Sequence, residues 1–402
     1  MHAHHLAYLT PFLVVVLSAA AVHAEGLSAE GGRVRLSQVT HPEAPQPMML
    51  HDRHHTALSR HPGPTLGRIR WSIELHGRIV GSGAVDHQGH SYWATAQGLG
   101  GQLHALDPDG ILIRSIPLGG DTNSSPALGP DGEVYISTRN GDLIAFETDG
   151  RERWRHQTQL EILSSPLVDV PSGRVIFSAR DRTIGLDLKT GKLAFEFDAQ
   201  NSANNSSPTL GPDGLIRITN WGGFAAAIAG SGELVWKIPI GRSGFWASPT
   251  LGAFGTLYTA SQNGDIIALS PNGRILWHTQ APGAVENFLG LSPDGHLVVP
   301  VSRHGIIALS PAGLVSWEMR TPRIRLSSTV AISADGIVYY SSADGPRGGP
   351  YLVGAARIGD PRPLWVVEIG EHAFSGPIIA PAVRGIPRLY SGTAKGQVYC
   401  IE

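Results

Sequence analysis

The chain is written in short runs of alternating apolar and polar residues, and the pattern of runs returns about every 41 residues. An aromatic residue marks each return: Trp154, Phe195, Trp236, Trp277 and Trp317 keep that spacing almost to the residue. In the unit around Trp154, residues 125–128 form a short small-and-apolar run, followed by a Gly-Pro-Asp-Gly turn. Residues 133–137 alternate, Asn140 to Asp142 turn, residues 143–146 are apolar, and 152–156 carry the tryptophan. Alternation bounded by Gly, Pro, Asn and Asp predicts strands, and a fixed period with four short strands per unit predicts a β-propeller.

A second marker, Ser-Ser-Pro or a close variant, opens each unit, at 124–126, 164–166, 206–208 and 247–249, with looser forms at 82–84, 287–289, 327–329 and 375–377. These positions predict eight blades of four antiparallel strands. Proline in the opening strand fits an edge lining the central channel, where a missing N–H is tolerated. The last unit has three strands before Glu402, while residues 66–71 carry Gly-x-x-x-Trp with no strands ahead of it. The N-terminal strand is therefore expected to complete the last blade, leaving no open edge between first and last sheets. The expected organisation is a signal peptide over 1–24, a flexible His- and Pro-rich leader over 25–65, and the propeller over 66–402.

The run Ala-x-x-x-x-Gly-x-x-x-Trp, seen at Ala145, Gly150 and Trp154 and again around Trp236, Trp277 and Trp317, resembles the tryptophan-docking motif of pyrroloquinoline-quinone (PQQ)-type propeller repeats. That resemblance implies that Trp71, Trp154, Phe195, Trp236, Trp277, Trp317 and Trp365 pack between adjacent blades. Arg114 and Phe195 depart from the motif at the tryptophan position. The family contains quinoprotein dehydrogenases, which hold PQQ and Ca²⁺ over the channel beside an adjacent-cysteine disulfide. It also contains non-catalytic scaffolds that resemble BamB of the outer-membrane assembly machine. The lone cysteine, Cys400, leaves no partner for such a disulfide. The resemblance thus implies a protein-binding scaffold without a cofactor, with a periplasmic quinoprotein dehydrogenase or a ligand-binding sensor as the alternatives.

Composition narrows partners more than function. A formal net charge of −2 and no basic stripe speak against nucleic acid. Residues 6–22 are mostly apolar and Val22-His23-Ala24 suits signal cleavage, so a periplasmic or secreted protein with no integral membrane segment after cleavage is expected. No cysteine stands at the cleavage site for lipid attachment. His51, His54, His55 and His61 form the most metal-like cluster, and their setting among prolines reads as a solvated linker. Asp-Gly pairs such as Asp107 to Gly110 supply turn chemistry rather than a calcium ladder. No catalytic or cofactor fingerprint is present. The unequal loops joining one blade to the next, with those between second and third strands, point to a partner-binding face carrying Trp221, Arg242, Phe245, Trp246, Arg323 and Arg325. A small ligand at the central channel is a further expectation.

Overall fold

The computed structural model describes residues 47–402, apart from Leu99, 201–205, Arg242, Ser243, Trp246, 322–324, Ser327 and 343–350. Its strands form eight antiparallel sheets, the predicted eight-bladed propeller. Blade 1 runs from Ala84–Val85 to Leu112–Pro117, with an added strand at Arg78–Ile79; blade 2 runs from Ala127–Leu128 to Glu152–Gln157. Blades 3 to 7 open at Leu167–Asp169, Thr209–Leu210, Thr250–Leu251, Gly290–Leu291 and Ala331–Ile332. Blade 8 combines Ile378–Val383, Ile386–Gly392 and Gln397–Ile401 with Ile69–Glu74 as its outer strand. Opening strands of neighbouring blades touch one another, so they line the axis. Middle strands are buried on both faces, whereas outer strands alternate exposed and half-buried.

Blades are joined through the aromatic residue on the outer strand. Each indole N–H donates to a turn carbonyl of the next blade: Trp71 to Pro108 at 3.2 Å, Trp154 to Leu188 at 3.2 Å, and Trp236 to Pro271 at 2.9 Å. Trp277 donates to Pro311 at 2.9 Å, Trp317 to Asp360 at 3.0 Å, and Trp365 to Pro64 at 3.1 Å. The motif glycine has φ between +68° and +85° and faces the ring: a Cβ on Gly110, Gly191, Gly273 or Gly313 would lie 2.6–2.8 Å from the indole. Only glycine permits both that conformation and that approach. The motif alanine sits across the strand pair from the indole, as Ala145 opposite Trp154 or Ala268 opposite Trp277, and its small side chain leaves room for the ring.

The departures from the motif keep the same contacts by other means. Phe195 lies against Gly232 but has no N–H; Arg174, whose guanidinium carbon stands 5.9 Å from the Phe195 ring centre, donates instead to the Gly230 carbonyl. Arg114 itself reaches over Gly150 and donates to Thr148 O at 3.1 Å. At the closure, the turn that blade 8 would otherwise lack is supplied by residues 64–67. Pro64 accepts from Trp365, Gly67 faces the same ring, and Arg68 exchanges both backbone hydrogen bonds with Glu402 at 2.8 Å.

The Ser-Ser-Pro repeat serves as two latches. The first serine bonds within its own blade, as Ser164 donates to Ser178 O and accepts from Ser178 N, both at 2.8 Å. The second accepts from the blade before it: Ser125 N donates to Ser165 Oγ, Ser165 N to Ser207 Oγ, and Ser207 N to Ser248 Oγ, at 2.8–2.9 Å. Crowding at the axis leaves backbone amides that a regular sheet cannot satisfy, and these hydroxyls take their place.

The expectation of a flexible leader up to residue 65 does not hold for 47–64; residues 25–46 lie outside the described part. From Pro47 to Ser59 nearly every residue is buried, including Met48, His51, His55 and Leu58 at 1–2% exposure. Opening strands have an unpaired edge facing the channel. Leu128 N donates to Pro47 O, Leu210 N to Arg53 O, Leu251 N to His54 O, Leu291 N to Thr56 O and Ile332 N to Ala57 O, at 2.6–2.9 Å. The segment thus winds past blades 2, 4, 5, 6 and 7 and fills the axis. Backbone needs outweigh composition here, because an unpaired buried amide costs about 1–3 kcal/mol. To keep its carbonyls aimed outward the segment holds Leu50, His51, His55 and Ala57 at φ between +55° and +80°. Asp52 fixes the bend by accepting from the amides of His54 and Thr56 and from Thr56 Oγ1.

Three outcomes are expected. Leu58→Ala, which empties a buried site in this axial segment, should cost about 2–5 kcal/mol in chemical denaturation. Trp365→Ala should cost a similar amount by opening the closure, while Trp365→Phe, which keeps a ring and loses only the bond to Pro64, should cost about 1 kcal/mol. Burial lowers His51 and His55 from 6.5 to about 4, against the opposing pull of Asp52. Between those values the unfolded chain binds more protons than the folded one, so stability falls as pH drops through the window. The melting temperature should therefore decline from about pH 7 to about pH 5, and His51→Leu with His55→Leu should flatten that decline.

Candidate functional site

The axial segment closes the channel from one side and leaves a mouth on the other. Here the serines of the second latch, Ser125, Ser165 and Ser207, ring a cavity of about 530 Å³. Met49 lies at its base, where Ser207 Oγ approaches Met49 Sδ at 3.7 Å. The rim comes from Arg78 on the added strand of blade 1 and from connections between blades: Asn123, Glu286, Phe288, Arg325 and Phe374. Arg325 holds Glu286 through two nitrogens, at 2.9 Å from Nε and 2.8 Å from Nη2. Asn123 Oδ1 is buried and has no hydrogen-bond partner among the described residues. A bowl that sets serines, asparagines and an Arg–Glu pair beside two rim phenylalanines can bind a surface or ligand of mixed polarity.

Of the residues expected on the binding face, Arg325 stands on this rim and Trp221 lies exposed at 43% on a loop between second and third strands, its ring against Gly244. Phe245 is a correction. It is 1% exposed and packs with Ala225, Ile240, Leu251 and Leu257 between blades 4 and 5, because the loop turns its ring inward after Gly244. Arg242, Trp246 and Arg323 lie outside the described residues. Sequence reasoning missed Met49, Arg78, Asn123 and Phe374. A signal for Met49 existed: Met48-Met49-Leu50 is an apolar triplet in an otherwise polar stretch.

The quinone chemistry that the fold family can host does not fit this mouth. Among the described residues its lining has one carboxylate, Glu286, already committed to Arg325. Cys400 is buried in the strand pair opposite Trp71, at the place of the motif alanine, and burial pushes its thiol up to about 12. It behaves as a small apolar residue under an indole. Among the described residues no three His, Cys, Asp or Glu side chains gather as a metal site, and the ring nitrogens of His51 face packed interior. No helix among the described residues is long and apolar enough to cross a membrane.

Comparison with known proteins follows the same lines. The profile of the family described as "Outer membrane protein assembly factor BamB" matches residues 57–245 and 222–346. The outer membrane protein assembly factor BamB of Nitrosomonas eutropha is 28% identical over 109 residues, covering 25% of this chain and 26% of that protein, so the match spans about a quarter of its length. BamB from Moraxella catarrhalis superimposes with a TM-score of 0.66 at 18% identity, over 84% of this chain and 100% of that one. A europium-containing methanol dehydrogenase superimposes with a TM-score of 0.76 at 13% identity, over 91% of this chain and 99% of that one. The quinohemoprotein alcohol dehydrogenase of Comamonas testosteroni gives 0.73 at 15%, over 91% and 81%. At such identities these structures share the fold, and fold does not carry function. The family profile, by contrast, spans most of the propeller and takes in the docking residues Trp71, Trp154, Trp236, Trp277 and Trp317: this chain belongs to the BamB family of outer-membrane assembly-factor propellers.

Proposed function

We propose that this chain is a non-catalytic protein-binding scaffold of the cell envelope, exported by its N-terminal segment and acting, as its family description suggests, in outer-membrane protein assembly. The observation that supports this reading most is the filled axis. In a propeller the channel is the natural place for a bound reactant, and here residues 47–64 occupy it with their own backbone bonded to five blades. What is left for recognition is the bowl and the loops around it, where Arg325, Glu286 and Trp221 offer the charged and aromatic chemistry that interfaces favour.

A dehydrogenase reading has the structural neighbours in its favour and the donor set of the mouth against it. The purified protein supplied with PQQ and Ca²⁺ should oxidise neither alcohols nor sugars, and steady turnover with an artificial electron acceptor would overturn the scaffold reading. For binding, Trp221→Ala and Arg325→Ala should each weaken capture of an envelope partner by about tenfold or more while leaving the melting temperature unchanged. Asp335→Ala, in a turn on the opposite face, should leave capture intact. The reverse pattern would move the binding surface to that face.

A further inference from the structure

The interface between blades 1 and 2 differs from the others in lacking an aromatic residue on the outer strand, and a cavity of about 420 Å³ opens there. A second, of about 290 Å³, lies between blades 3 and 4, where Phe195 replaces tryptophan. The larger cavity falls within the range of about 300–1,000 Å³ typical of small-ligand sites.

Its walls are those that hold an indole elsewhere in the chain. Motif alanines Ala145, Ala227, Ala268, Ala308 and Ala355 are 0% exposed beneath their rings, whereas Ala105, paired with Arg114, is only half-buried and lines the cavity. On the second strand, Tyr135, Tyr258, Tyr339 and Tyr390 are buried against Trp154, Trp277, Trp365 and Trp71, with ring centres 5.5–5.9 Å apart. Tyr92 occupies the same register position opposite the opening strand, is half-buried, and lines the cavity. Thr148 presents the turn carbonyl, taken on one side by Arg114 at 3.1 Å, and a carbonyl accepts two donors. Leu103 and Phe146 supply apolar surface behind. The Arg114 guanidinium adds a planar cation of the kind on which aromatic rings stack.

We propose that the cavity between blades 1 and 2 is a receptor for a planar aromatic ring bearing an N–H donor, an indole in its simplest form. The ring enters beside Arg114, covers Ala105 and Tyr92, and completes from outside the contact that tryptophan makes from within at six other interfaces. The ring can be a free aromatic molecule or a tryptophan side chain of a bound protein; the recognising chemistry is the same.

Calorimetric titration of the full chain with indole, and separately with a blocked Gly-Trp-Gly peptide, tests this. Saturable binding of indole at millimolar concentration is expected. Tighter binding of the peptide assigns the site to a protein's tryptophan, and equal or weaker binding assigns it to a free aromatic. Arg114→Trp should fill the receptor internally, weakening indole binding by about tenfold or more while raising the melting temperature. Ala105→Leu blocks the floor with Arg114 kept and should cause the same loss, its melting curve confirming a folded ring. No binding of either probe to the wild type overturns the proposal, and so does undiminished binding to both folded variants.

Discussion

An aromatic ring laid on a glycine of the next blade, with its N–H on that blade's turn carbonyl, is the contact on which the ring of blades depends. A four-stranded blade has two apolar faces and no way to bury them alone, so stability must come from neighbours. The indole supplies apolar area and a directional bond together, and a docked tryptophan is worth up to roughly 4–6 kcal/mol of gross burial. The consequences propagate: the glycine takes a positive φ, the cross-strand residue shrinks to alanine, or to cysteine at Cys400, and the last turn must be rebuilt from residues 64–67. Where the indole is absent, Arg114 and the Phe195–Arg174 pair preserve the donor and leave space.

The second constraint acts at the axis. Opening strands present amides to the channel that no other strand can pair, and the chain spends its own residues 47–64 on them. Four non-glycine residues at positive φ and three inward histidines are unfavourable taken singly. They persist because five backbone bonds and the buried Met48 and Leu58 side chains hold them in place. The same occupation that steadies the ring leaves the bowl shallow, with recognition confined to its rim and the surrounding loops.

Much of this was legible in the residues. Trp154, Trp236 and Trp277 gave the period, and Leu66 to Trp71 gave the closure, because both follow from local patterns that repeat or complete one another. The axial segment was not, since its binding runs through backbone carbonyls, which any residue possesses; prolines and histidines in 47–64 read as solvent-exposed linker. Phe245 failed for a related reason: an aromatic in a loop can face partner or core, and only the turn at Gly244 decides. The rim was legible in part, through Arg325 on a connection between blades, while Arg78 and Met49 reach it from segments with no repeat to mark them.

A closed ring with a filled axis is the central claim, and hydrogen exchange of the full chain tests it most directly. The amides of Leu128, Leu210, Leu251, Leu291 and Ile332 lie on otherwise unpaired strand edges and are bonded only by the axial segment. They should exchange as slowly as core amides of the middle strands, such as Ile144 and Ile267. Fast exchange at those five positions, with the middle strands protected, would show an open channel and contradict the account.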